Sequence, residues 1–99
     1  MTTITVSKKG RRYSVKCEGH ATGSNEVCAA ISAISLGLAL YISAENIKIN
    51  HSRVADGFFE LIFTGSKKAQ HAYDMAVVCY RALGEEYPEY CGVYIDLDK

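Results

Sequence analysis

A histidine and a cysteine stand eight positions apart, His20 and Cys28, on either side of a short stretch of small residues. Thiol nucleophiles are built from this pair. A thiolate attacks a carbonyl carbon, and an imidazole titrating near neutrality takes the thiol proton and later returns it to the leaving amine. Residues 19–24 read Gly-His-Ala-Thr-Gly-Ser, and Gly19 and Gly23 let the stretch fold back so that the imidazole approaches the sulfur. Asn25 is a good helix N-cap and Glu26 suits a first turn, so the spacing predicts a helix with Cys28 near its third position. The unpaired N–H groups and positive dipole end of a helix start favour a thiolate, and they suit an oxyanion on an attacked carbonyl. Ser32 follows Cys28 by one turn on the same face, placed to orient the dyad or a substrate carbonyl. A cysteine at a helix start beside a loop histidine also arises by chance, and spacing alone leaves both readings open.

No metal is expected, because His20 and Cys28 lack obvious further ligands. No C-x-x-C pair suggests a zinc ribbon or a thioredoxin-type redox site. His51 and His71 read as surface residues, and Cys17, Cys79 and Cys91 as small apolar fillers.

The elements that must position the pair follow from periodicity. Residues 3–7 alternate with Ile4 and Val6 on one face, and residues 12–18 alternate with Tyr13, Val15 and Cys17 on one face. Gly10 lies in the turn between them, which predicts an antiparallel hairpin. The helix after the loop extends to about Ala44. Its apolar residues run round nearly the whole circumference, so more than the sheet must cover it: a second helix or a second subunit. Residues 46–54 and 58–63 read as strands joined by Ala55-Asp56-Gly57, whose D-G dipeptide is a strong hairpin signal. Ser66 opens a second helix with Ala69, Tyr73, Ala76, Val77, Tyr80 and Leu83 on one face; Gly84 and Pro88 mark its end, and residues 92–97 give a last strand. The fold class is α+β in the order ββαββαβ, with two helices on one face of a mainly antiparallel sheet.

At 99 residues and 48% hydrophobic content, the chain supports one domain with one core. Eleven basic residues balance eleven acidic ones, so no global field favours nucleic acid or an anionic membrane. The basic run at residues 8–12 reads as a solvated turn. Residues 1–4 lack a signal-peptide layout, and four cysteines in an intracellular chain stay reduced, so a cytoplasmic location is expected. Residues 27–42 are apolar apart from Ser32 and Ser35, but shorter than the roughly 20 residues that span a bilayer; a core helix is the better reading.

The strings Gly19-His20-Ala21 and Val27-Cys28-Ala29-Ala30-Ile31-Ser32-Ala33 resemble the G-H-A and V-C-A-A-x-S-A motifs of the ribosomal-processing cysteine protease family, Prp. The similarity spans nearly the whole chain. Asp56-Gly57-Phe58-Phe59 looks like the family's G-G-F/Y-F turn, and Glu86-Tyr87-Pro88-Glu89-Tyr90 like its tail after the second helix. The resemblance implies a single cysteine-protease-like domain over residues 1–99, a small α+β homodimer, and endoproteolysis without a cofactor. His20 and Cys28 match the family's catalytic pair, and Ser32 matches its serine; Gly19 and Asn25 join Ser32 as supporting or substrate-binding positions. The implied partner is a protein or peptide substrate: the N-terminal extension of a large-subunit ribosomal protein in Firmicutes and relatives, or phage capsid or scaffold proteins. Neither membrane nor direct nucleic-acid contact is implied.

Two departures stand out. The loop between His20 and Cys28 is several residues shorter than the family's, and the acidic residue three before the cysteine is here Asn25, which keeps a capping role without the charge. These keep a second class of function in view, a catalytically silent dimeric binding module that retains the fold. A thiol-redox protein is a third, weakened by the lack of an evident resolving cysteine. Phe58, Phe59 and Tyr41 could line a pocket for an apolar substrate side chain or belong to the core, and the two phenylalanines must face opposite ways.

Overall fold

The computed structural model describes residues 1–97. Its elements are β1 (Thr2–Lys9), β2 (Arg12–Glu18), α1 (Asn25–Ala44), β3 (Lys48–Ala55), β4 (Phe58–Thr64), α2 (Lys67–Glu86) and β5 (Cys91–Leu97). This is the expected ββαββαβ order. The five strands form one sheet in the order β3-β4-β2-β1-β5. Only β1 and β5 run parallel among these neighbours; the other pairings are antiparallel. Gly10 closes the first hairpin at φ 62, a conformation that costs glycine nothing and other residues much.

Alternation along the strands sends Ile4, Val6, Tyr13, Val15, Cys17, Phe59, Leu61 and Phe63 to one buried face. Both helices lie there. α2 contributes Ala69, Tyr73, Ala76 and Tyr80, the stripe its 3.6-residue period predicts. α1 contributes Val27, Ile31, Ser35, Leu38 and Ile42. By length and composition α1 could cross a membrane, and Val27, Ile31, Leu38 and Ile42 of its stripe are packed in the core. α2 covers a second side of α1, and Leu36 and Leu40 remain 48% and 71% exposed on another. β3 is an edge strand, and each of its residues is exposed. A register shift between Ile49 and His51 interrupts its pairing with β4.

One local expectation is corrected. Ser24, not Asn25, caps α1: its backbone is extended (φ −142, ψ 101) and its side chain accepts the Val27 N–H at 3.2 Å. Asn25 is already the first helical residue. A hydroxyl on a short side chain meets this need as well as an amide, and Ser24 stands where the chain turns into the helix. Cys28 therefore sits at the fourth helical position, one later than its spacing suggested, and its N–H already donates to the Ser24 carbonyl at 3.3 Å.

A polar cluster fastens the two helices to β2 from inside. Ser35 Oγ and Tyr80 OH are 2.6 Å apart, and the Cys17 sulfur lies 3.6 Å from Ser35 Oγ and 3.9 Å from Tyr80 OH. Buried hydroxyls with partners in reach fix one helix register where an all-apolar seam would permit sliding.

Candidate active site

The loop between β2 and α1 is shaped by backbone contacts. Beyond the last β2–β4 pair, Glu18 with Phe58, the Gly19 N–H donates to the Gly57 carbonyl at 2.9 Å, so the ladder continues one step into the loop. Gly19 has φ 92, and a Cβ there would come within 2.7 Å of the Met1 carbonyl oxygen; no other residue fits. Ala21 is buried at 2% exposure, and its carbonyl accepts the Ser24 N–H at 3.0 Å. The stretch is a compact turn, ordered by its two ends.

That turn sets His20 over the β3–β4 hairpin. Nε2 of His20 lies 3.9 Å from Asp56 Oδ2, and a Cβ built on Gly57 would come within 2.6 Å of the same nitrogen. Gly57 is thus required twice, by its φ of 67 and by the space the imidazole occupies. The Cys28 thiol rises from the first turn of α1 and points back at the loop, with Ala21's carbonyl 3.8 Å from its sulfur. The loop therefore carries the imidazole on one residue and meets the thiol with the next.

His20, Cys28, Gly19 and Ser32 line one cavity of about 270 Å³. Asn25 is not among its lining residues. Ile31, Leu36, Val54 and Phe59 supply apolar wall, and Cys17 and Ser35 connect the cavity to the buried polar cluster. Burial pushes the Cys17 thiol up from its ordinary value, only partly offset by its hydrogen bonds to Ser35 and Tyr80. Phe59 points inward and is buried, whereas Phe58 carries the Arg53 guanidinium 5.3 Å from its ring centroid. Tyr41 is placed elsewhere: it lines a groove between α1 and α2 with Met75, Ala72 and Cys79. The four cysteines are free, and no group of three or more His, Cys, Asp or Glu suited to a metal occurs among the described residues. His51 and His71 are exposed, and His51 pairs with Glu60 at 3.0 Å.

In the sequence, Asp56 and Gly57 carry only the signal of a turn. The register of β4 on β2 was the missing signal, because it carries that turn to the end of β2, where the histidine loop begins.

A family model described as Cysteine protease Prp matches residues 1–92. The chain belongs to the cysteine protease Prp family. The Prp fold is also seen in solved structures. The essential ribosomal processing protease Prp from S. aureus, in complex with a covalently linked product peptide, superposes with a TM-score of 0.84 at 21% identity, over 97% of this chain and 100% of that one. The same S. aureus protease with a substrate peptide gives 0.76 at 20% identity, over 99% and 100%. SMU.848 from Streptococcus mutans gives 0.78 at 23% identity, over 99% and 96%. No curated protein matches the chain. At these identities the structures speak for the fold, and the Prp family match for the enzyme class, a cysteine protease.

Proposed function

We propose that this Prp-family protein is an endopeptidase in which Cys28 is the nucleophile and His20 the general base and acid. The observation that carries the reading is the shared cavity: the loop that holds the imidazole and the helix turn that holds the thiol open onto one apolar-walled space. His20 takes the thiol proton, and the sulfur attacks the scissile carbonyl to give a tetrahedral oxyanion. As the C–N bond breaks, the imidazolium returns the proton to the leaving amine and a thioester remains. Water, deprotonated by His20, then releases the carboxylate product and restores the thiol. The Cys28 N–H is engaged by the Ser24 carbonyl, so the oxyanion is served by the Ser32 hydroxyl, which lines the same cavity and donates to it.

The substrate is the N-terminal extension of a large-subunit ribosomal protein, cut in the cytoplasm. The family and the peptide complexes of S. aureus Prp support this reading. The 99 residues act as one domain, paired in a homodimer. Leu40 and Tyr41 on α1, with Met75 and Val78 on α2, are exposed apolar residues that a second copy would cover.

The test is incubation of the wild-type protein and Cys28→Ala with extended N-terminal peptides of ribosomal proteins and of phage capsid proteins, read by mass spectrometry. Cleavage of a ribosomal extension by the wild type alone is expected. Cleavage by neither protein, with Cys28 inert to an alkylating agent at neutral pH, would leave the silent binding module as the better account.

A further inference from the structure

The dyad needs something to hold the imidazole, and the position three before the cysteine carries no charge to do it. Asn25 is an amide, stands in the first turn of α1 and does not line the cavity. Asp56 is the one acidic residue among those that do. Resting on the endopeptidase reading, we propose that Asp56, in the β3–β4 turn, is the positioning carboxylate of this enzyme, acting through Nε2 of His20.

Three observations meet at this turn. Asp56 Oδ2 is 3.9 Å from His20 Nε2, beyond a hydrogen bond but within reach of one side-chain rotation, since the Asp56 side chain is 99% exposed and unencumbered by packing. Catalytic hydrogen bonds in ligand-free enzymes are often long and tighten around substrate. The imidazole is seated on Gly57, where a side chain would displace it, so the turn already dictates where the ring lies. The turn itself is tied to the histidine loop by the Gly19–Gly57 hydrogen bond, so Asp56 and His20 are carried on one rigid unit. An Nε2–H turned toward the carboxylate leaves the lone pair on Nδ1, and Nδ1 becomes the nitrogen that takes the Cys28 proton. Asp56 acts through the imidazole. It is a positioning residue.

Exposure sets the size of the effect. An ion pair this open to water contributes little, so the expected loss is about two- to fivefold in turnover, far from the loss caused by removing a nucleophile. Asp56 does not have a positive φ, so alanine and glutamate are accommodated there without backbone strain. Asp56→Ala is expected to lower kcat by that factor with KM unchanged, and Asp56→Glu to restore most of it. Nitrogen-15 spectra of the His20 ring in the free protein give a readout that needs no substrate. The wild type is expected to hold the Nε2–H tautomer at mildly alkaline pH, and Asp56→Ala to shift toward a mixture with Nδ1–H. Identical tautomer populations in the two proteins overturn the proposal, as does an Asp56→Ala kcat equal to that of the wild type. Absence of cleavage by the wild type alongside a tautomer shift would instead count against the endopeptidase reading and leave the His20–Asp56 pairing standing.

Discussion

Two thiols border the cavity, and their surroundings differ. Cys17 is buried against Ser35 and Tyr80, and burial holds its thiol protonated beyond the ordinary range. Cys91 is likewise buried, with its thiol pushed up by the same cause. Cys28 is half-buried at the start of a helix, where the dipole favours an anion. Iodoacetamide at neutral pH, followed by peptide mapping, should therefore modify Cys28 well before Cys17 or Cys91; faster reaction at Cys17 would contradict this assignment. Gly57 offers a second residue-scale test. Gly57→Ala imposes a left-handed backbone on a residue with a Cβ, at about 1–2 kcal/mol, and drives that Cβ into the imidazole. Displacing a catalytic group by an ångström can cost on the order of a hundredfold in rate, so kcat/KM should fall far more than thermal stability does. A variant that loses stability but keeps its rate would show that the turn does not seat His20.

Among the elements, the strands and helices were largely legible because period-two and 3.6-residue patterns report burial directly. Tyr13, Val15 and Cys17 face the core as their alternation required, and so do Tyr73, Ala76 and Tyr80 on α2. The start of α1 was legible only to within one residue. Ser24 and Asn25 both favour the cap, and the backbone geometry that decides between them is not encoded in residue type. Ser24→Ala should destabilise the protein by about 1 kcal/mol in denaturant titration, whereas Asn25→Ala should stay within about 0.5 kcal/mol of wild type. Equal losses would restore Asn25 as the cap. Deeper in α1, Ser35 looked like an interruption of an apolar helix, and it is the hydroxyl that pairs with Tyr80. Ser35→Ala leaves the fully buried Tyr80 hydroxyl with only a long contact to Cys17, and should cost about 1–3 kcal/mol. The polar cluster could not be read from the sequence, because its three members come from three separate elements.

For the whole molecule, the sequence carried the layer order, but not the apposition of the histidine loop with the β3–β4 turn. That apposition depends on which strand β4 joins, a non-local choice with no local pattern. The packed core also sets an alkaline limit. Burial pushes Tyr73 up to about 12 from an ordinary value of 10.0, and its hydroxyl has no hydrogen-bond partner among the described residues. Above pH 10 the unfolded chain releases this proton while the folded one retains it. The contribution of Tyr73 is therefore intact below 10 and is lost as pH rises toward about 12. Tyr73→Phe removes both the titration and the unpaired hydroxyl. Its urea midpoint should be equal to or above that of wild type at pH 7, and should fall less steeply above pH 10; a steeper fall would contradict the burial account. The central claim, that His20 and Cys28 act as one catalytic unit, is tested most directly by kcat/KM for cleavage of an extended ribosomal-protein peptide by His20→Ala, Cys28→Ala and the double variant. Each single substitution should abolish nearly all turnover and the double should be no slower than either; a His20→Ala enzyme with the wild-type rate, or losses that multiply in the double variant, would contradict it.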